Sequence, residues 1–263
     1  MKETMRLCPL CSGSSGNATY IEAGEVRLLV DAGLSAKRLT ALLAQIGVAP
    51  TQLSAVLITH EHGDHVNGVD VLCRKYDLPV YANAACWAAL SEKLARIAPQ
   101  KRVVFEPDLA FSIGPVRVFP FTTYHDAAHP VGFTFTWQGR KCAVCTDVGH
   151  IDERILAALE RAELLLLESN HDVDILMAGD YSWPVKQRIL GESGHLCNED
   201  CGRALVRLYE LGLRRAILGH LSQNNNYPPL ALATVREMLH AAGVEMGLSL
   251  AERDGPTGVF EIA

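Results

Sequence analysis

The sequence predicts an α/β chain folded as an αββα sandwich, two mixed β-sheets packed face to face with helices outside. Three observations carry that expectation. Strand-like runs give way to amphipathic helices twice along the chain, the order expected of layered sheets. With 263 residues, 49% of them hydrophobic, there is enough apolar material for one large core, and no linker-like stretch divides it. Histidines and aspartates recur at the ends of strand-like runs, where catalytic groups collect.

Residues 7–11, 18–22 and 26–30 read as an antiparallel meander, joined by the turn-rich Ser12-Gly13-Ser14-Ser15-Gly16-Asn17 and by Ala23-Gly24-Glu25. Ser35 is placed to cap a helix through Ile46, with Leu39, Leu42 and Leu43 on one face and Gly47 at its end. The run 53–58 contains a buried strand, 66–76 and 83–97 read as helices, and Val80-Tyr81 is a short strand between them. The second half repeats the pattern. Strands are expected at 103–105, 116–121, 131–137 and 142–146, a helix at 152–161, a strand at 164–167 and a polar stretch from Glu168 to Asn198. A helix over 199–211, a strand over 216–218 and a helix over 229–242 complete it.

The most informative stretch is Thr59-His60-Glu61-His62-Gly63-Asp64-His65. Histidines two apart in an extended segment project from one face, so His60 and His62 can chelate one ion. Gly63 lets the chain turn and present Asp64 and His65 to a second ion. Imidazole with carboxylate suits Zn, Mn or Fe better than Mg or Ca. Further ligands are offered at other strand ends by Asp31, His125, Asp147 and His220.

Composition narrows the function. A net charge of −6 argues against a broad basic surface for nucleic acid. It leaves open attraction by bound metal, since two divalent ions add formally about four positive charges at one place. No apolar run reaches the roughly eighteen residues of a membrane span, so no membrane partner is expected. The opening Met1-Lys2-Glu3-Thr4-Met5-Arg6 lacks the apolar core of a secretory signal, which gives a cytoplasmic expectation. The pairs Cys8/Cys11 and Cys142/Cys145, drawn from eight cysteines, fall in strand-like runs. Positions three apart there point to opposite faces, so these read as reduced core cysteines; Cys197 and Cys201, in a polar region, are less readily set aside.

Taken together, the Asp after an early strand, His-x-His-x-Asp-His, a lone His, a lone Asp and a last His resemble the metallo-β-lactamase superfamily over nearly the whole chain. The resemblance implies that His60, His62 and His125 hold a first ion, Asp64, His65 and His220 a second, that Asp147 bridges them, and that Asp31 supports the histidine loop by hydrogen bonds. Ser12 to Asn17, Ser169-Asn170-His171-Asp172, Gly194-His195-Leu196-Cys197-Asn198 and His220-Leu221-Ser222-Gln223-Asn224-Asn225 are similar to the WalJ or YycJ group, regarded as DNA exonucleases. Cys197 stands where that group implies serine. The interval from Asp147 to His220 is too short for an inserted nucleic-acid-clamping domain, so residues 1–263 are expected to form one domain.

The implied activity is that of a phosphodiesterase, a DNA exonuclease of 5′ to 3′ polarity with a hydroxide bridging two ions as nucleophile. DNA ranks ahead of RNA. Asp64 is expected to aim the hydroxide, and His195, surplus to coordination, to bind phosphate or protonate the leaving oxygen with Glu168 tuning it. Ser12, Ser14, Ser15 and Asn17, with Ser222, Asn224 and Asn225, are expected to position phosphate; a hairpin turn and a helix cap are the structural alternatives. Lys186 and Arg188 are weighed as backbone contacts against plain solvation. Two other functions stay open: hydrolysis of thioesters, lactones, small esters or cyclic nucleotides on the same scaffold, and a non-hydrolytic di-iron protein.

Overall fold

The computed structural model describes residues 4–262. Met1 to Glu3, on which the secretory-signal reading partly rests, lie outside the described residues, as does Ala263. The first sheet begins with an antiparallel meander of β1 (Met5–Cys11), β2 (Ala18–Ala23) and β3 (Val26–Val30). It continues in parallel through β4 (Ala55–Leu57), β5 (Val80–Asn83) and β6 (Arg102–Phe105). In the second sheet β7 (Phe111–Ile113), β8 (Val116–Thr122), β9 (Val131–Trp137) and β10 (Arg140–Cys145) are antiparallel. Then β11 (Leu164–Glu168), β12 (Arg215–Gly219) and β13 (Gly247–Leu250) run parallel to β10. The last strand, β14 (Phe260–Ile262), returns to the first sheet beside β1. Both sheets are therefore mixed, as the repeated pattern predicts, and among the described residues each has seven strands.

Burial on both faces explains why the parallel strands read as continuous apolar runs. In β11, Leu164 and Leu166 enter the core between the sheets with Leu28, Val30, Phe133 and Ile217. Leu165 and Leu167 face the outer helices instead. Each such fully buried leucine contributes about 2 kcal/mol.

The outer layer on the first sheet includes α1 (Ala36–Gln45), α2 (Gly63–Val66), α3 (Val69–Tyr76) and α4 (Ala84–Ala89). Ser35 caps α1 by accepting from the Arg38 N–H, and Gly47 takes up φ 74° beyond its end, as expected. On the second sheet lie α5 (Glu153–Leu159), α8 (Asn198–Glu210) and α9 (Pro228–Ala241). Between them in sequence are α6 (Val173–Ala178) and α7 (Trp183–Leu190). Among the described residues no helix is long and apolar enough to cross a membrane.

Several elements differ from expectation. The helix read over 66–76 is broken at Asn67-Gly68, because the Gly68 N–H donates to Ala32 O and a β-carbon there would lie 2.1 Å from Leu34 O. The helix read over 83–97 ends at Ala89 and continues as turns. The stretch read only as polar holds α6 and α7, started by an Asp172 cap and by Pro184 in the first turn after Ser182. Strands β7, β13 and β14 were not expected; they are three- or four-residue edges without strong alternation.

All eight cysteines are reduced and buried. Cys142 and Cys145 face opposite sides of the second sheet, as alternation requires. Cys8 and Cys11 instead share one side, because a register irregularity between Pro9 and Cys11 breaks the alternation.

Candidate metal centre

The parallel strands finish at matched levels, Val30 opposite Leu57, Cys145 opposite Leu167 and Glu168 opposite Gly219. The residues that follow them, Asp31, His60, Asp147 and His220, therefore emerge along one rim shared by both sheets. Asp31, Asp147 and His220 adopt left-handed backbone at φ 62°, 56° and 53°. Such conformations cost about 1–2 kcal/mol for a side-chain-bearing residue and gather at functional sites. The His60–His65 segment is locked by backbone hydrogen bonds to two loops: Asn17 N–H, between β1 and β2, to Asp64 O at 2.8 Å and Ala32 N–H, next to Asp31, to His65 O at 2.8 Å. Gly33 permits the approach, since a β-carbon there would lie 1.7 Å from Asp64 O.

Four buried histidines have Nδ1 engaged, which directs Nε2 inward. His65 Nδ1 donates to Asp31 Oδ2 at 2.8 Å, and His60 Nδ1 to Thr59 Oγ1 at 3.0 Å. Thr59 in turn donates its hydroxyl and amide to the two oxygens of Asp31. His125 Nδ1 donates to Gly194 O at 3.0 Å, and His220 Nδ1 to Glu168 Oε1 at 2.8 Å. Such bonds fix tautomer and ring orientation in metal-binding histidines.

The inward atoms fit a cation. His60 Nε2, His220 Nε2 and Asp147 Oδ2 are buried without a hydrogen-bond partner, an arrangement that is costly unless a ligand is bound. His65 Nε2 lies 3.0 Å from the Asn17 amide nitrogen and 3.2 Å from Asp147 Oδ2. Ligand atoms of His60, His62 and His125 fall within 4.8 Å of one another, as do those of Asp64, His65 and His220. A third such group, His60, His65 and Asp147, puts the aspartate between the first two. A fourth, Asp147, Glu168, His195 and His220, is internally bonded, because Glu168 Oε1 accepts from both imidazoles.

Electrostatics follow from this packing. Burial, reinforced by neighbouring imidazoles, holds His60 well below the usual histidine range, so it is neutral and able to ligate. Burial also opposes the charged form of Asp147, yet His220 and His65 outweigh it and hold the carboxyl well below its ordinary value. For Glu168 burial is again outweighed, by His195 and His220, and the carboxyl is held at about 2. Its other oxygen accepts from the Val148 N–H at 2.8 Å and the Leu196 N–H at 3.4 Å. Against burial, the same carboxylate raises His195.

Not all expected substrate groups face the site. Ser12 is buried and accepts from the His220 N–H at 2.8 Å, holding the last histidine's loop. Asn17 accepts from the Gly13 N–H at 3.0 Å and points its amide to His65. Ser15 is exposed and does not line the adjoining cleft, whereas Ser14, Ser222 and Asn225 do. Asn224 donates to the Tyr181 hydroxyl at 3.0 Å. Lys186 gives its ammonium to Met177 O at 2.7 Å, and Arg188 pairs with Asp126. Cys197 caps α8, its sulfur accepting from the Asp200 N–H at 3.4 Å, while Cys201 is packed in the core.

Sequence reasoning missed the grip of Glu168 on His220, the support from Thr59 and Gly194, and the wall formed by α7. It also gave no individual role to His171, which is buried with neither ring nitrogen partnered and lines a cavity together with His195. The Asp172 cap and Ser182-Trp183-Pro184 were the available signals for the helices.

Two mixed sheets between helices, with this His and Asp cluster along their shared rim, define a metallo-β-lactamase fold with a candidate metal centre. The family described as Beta-lactamase superfamily domain matches residues 26–221. The chain is 42% identical over 241 residues to the exodeoxyribonuclease WalJ of Streptococcus pneumoniae, covering 91% of this chain and 90% of that protein. It is 40% identical over 238 residues to the exodeoxyribonuclease YycJ of Bacillus anthracis, covering 90% of each. A Zn2+-bound PqqB from Methylobacterium extorquens superposes with a TM-score of 0.74 at 18% identity, over 98% of this chain and 100% of that one. The fold protein YhfI of Bacillus subtilis gives 0.73 at 20% identity, over 98% and 100%. This chain belongs to the metallo-β-lactamase superfamily, in its WalJ/YycJ-like group.

Proposed function

We infer that the protein is a binuclear metal-dependent phosphodiesterase that removes nucleotides from DNA ends, with 5′ to 3′ polarity. The names of its relatives support the nuclease class. One observation carries the reading: Glu168 Oε1 lies 2.7 Å from His195 Nδ1 and 2.8 Å from His220 Nδ1. It couples a histidine that coordination does not need to one that coordination does.

His60, His62 and His125 would hold one ion, Asp64, His65 and His220 the other, with Asp147 shared; Zn or Mn suits these donors first and Fe next. Two such ions, when bound, lower the pKa of water for attack on phosphorus and offset charge on the non-bridging oxygens. Asp64, which is partly exposed, would accept a hydrogen bond from the attacking water and aim it. His195, with Nδ1 committed to Glu168, turns Nε2 to the phosphate or delivers a proton to the leaving oxygen. Ser14, Ser222 and Asn225 offer polar contacts to the strand. Ser12 and Asn17 act through the His220 and His65 loops. We read residues 1–263 as one domain, with α6 and α7 in place of an inserted clamp.

The test incubates Mn- or Zn-loaded protein with end-labelled single- and double-stranded DNA, a tRNA precursor and a panel of lactones and small esters, beside His60→Ala. Metal-dependent release of nucleotides from DNA, lost in the variant, is the expected result. Turnover of small esters alone would replace the nuclease reading with a general hydrolase.

A further inference from the structure

Beside the candidate metal centre is a cleft of about 230 Å³ with two chemically different walls. One is apolar: Val185 and Ile189, four apart on α7, and Tyr181, just before the helix, all line the cleft. Val185 and Ile189 share a helix face at that spacing. The other is polar, with Ser14, Asn170, Ser222 and Asn225, and His125 and His195 also line the space. A cleft that serves only to bring a phosphodiester to the ions has no use for an apolar wall. Val185 nonetheless keeps 40% of its surface exposed.

The wall is braced. The Tyr181 hydroxyl accepts from Asn224 Nδ2 at 3.0 Å, tying the ring to the segment after His220. At the far end of α7, Arg188 pairs with Asp126, whose Oδ1 lies 3.3 Å from His125 Nε2. That pairing offsets a carboxylate that would repel phosphate.

An apolar face, polar groups opposite and a metal centre alongside match the parts of a nucleotide. We propose that the cleft is the subsite for the 5′-terminal nucleotide of a single strand, its base packed on Tyr181, Val185 and Ile189. The proposal rests on the nuclease reading and deepens it. The volume is below the roughly 300–1,000 Å³ of ordinary ligand pockets, too small for the two nucleotides of a paired end. None of the three wall side chains presents a patterned set of donors and acceptors to a base edge, so packing against this wall does not depend on which base is bound. Stacking of one base on an aromatic ring changes affinity on the order of 10- to 100-fold.

The experiment compares kcat and KM of the metal-loaded enzyme on single-stranded DNA ending in a normal or an abasic 5′-nucleotide. Wild type should show a KM about tenfold or more lower for the normal end. Tyr181→Ala should lose that preference with metal content unchanged, Tyr181→Phe should keep it, and Val185→Ser should weaken it. Equal KM for both ends in wild type, or an undiminished preference in both Tyr181→Ala and Val185→Ser, overturns the subsite and leaves the nuclease reading standing. Failure of wild type to cleave either strand overturns both.

Discussion

Replacing Glu168 with glutamine keeps shape and volume and removes one charge from a position with no solvent to replace it. The carboxylate accepts four hydrogen bonds, from His195, His220, Val148 and Leu196. An amide offers one accepting oxygen and one NH2. If its oxygen faces the two imidazoles, its NH2 opposes the backbone N–H groups; flipped, it opposes both Nδ1–H groups. Either way two donors are left facing a donor. Hydrogen bonds to a charged group are worth about 1.5–3 kcal/mol each, so the two unmatched donors lose roughly 3–6 kcal/mol in either orientation. In the flipped orientation His220 escapes by moving its proton to Nε2, which then cannot ligate. Loss of such an outer partner lowers metal affinity by about 10–100-fold, and a misplaced acid or base slows turnover by about 10²–10⁴-fold. Metal titration with a chelating indicator, alongside kcat on end-labelled single-stranded DNA, reads both effects. A Glu168→Gln protein with metal affinity and kcat each within twofold of wild type would refute this reasoning.

Other consequences follow from single residues. Gly33→Ala places a β-carbon 1.7 Å from Asp64 O, so the loops must part; urea unfolding should show a loss of at least about 2 kcal/mol, with reduced metal content, and an unchanged protein would contradict the packing. Cys197→Ser puts a better acceptor at the α8 cap, and thermal unfolding should show a gain of about 0.5–1 kcal/mol; a fall would show that sulfur packing matters more. Burial pushes the Cys8 thiol up to about 11 and Cys11, Cys73 and Cys197 up to about 12. A raised thiol pKa keeps the neutral form at pH 8, where Cys8 is thiolate to about one part in a thousand. Native protein should therefore label slowly with a thiol reagent and all eight cysteines only after denaturation; fast native labelling would contradict the burial.

Much of this architecture is legible because the physics is local. The run from His60 to His65 carries its chemistry in consecutive residues, and apolar runs such as Leu164 to Leu167 announce strands covered on both faces. The polar stretch after Glu168 was opaque for the opposite reason. Among the buried residues of α6 and α7 are only Leu176 and Lys186, too few for a helical period to emerge. The role of Ser12 was hidden because its partner, His220, is on the opposite sheet, and no spacing rule reaches across a fold. Cys8 and Cys11 share a side only because of a bulge that alternation cannot anticipate.

The most direct test of a binuclear nuclease is the rate of nucleotide release from single-stranded DNA as Mn2+ or Zn2+ is added stepwise to metal-stripped protein. The account predicts activity that rises steeply up to two equivalents and then levels, with none in His60→Ala. Release of nucleotides at full rate without added metal, or two bound equivalents with no release from any nucleic acid, would contradict it.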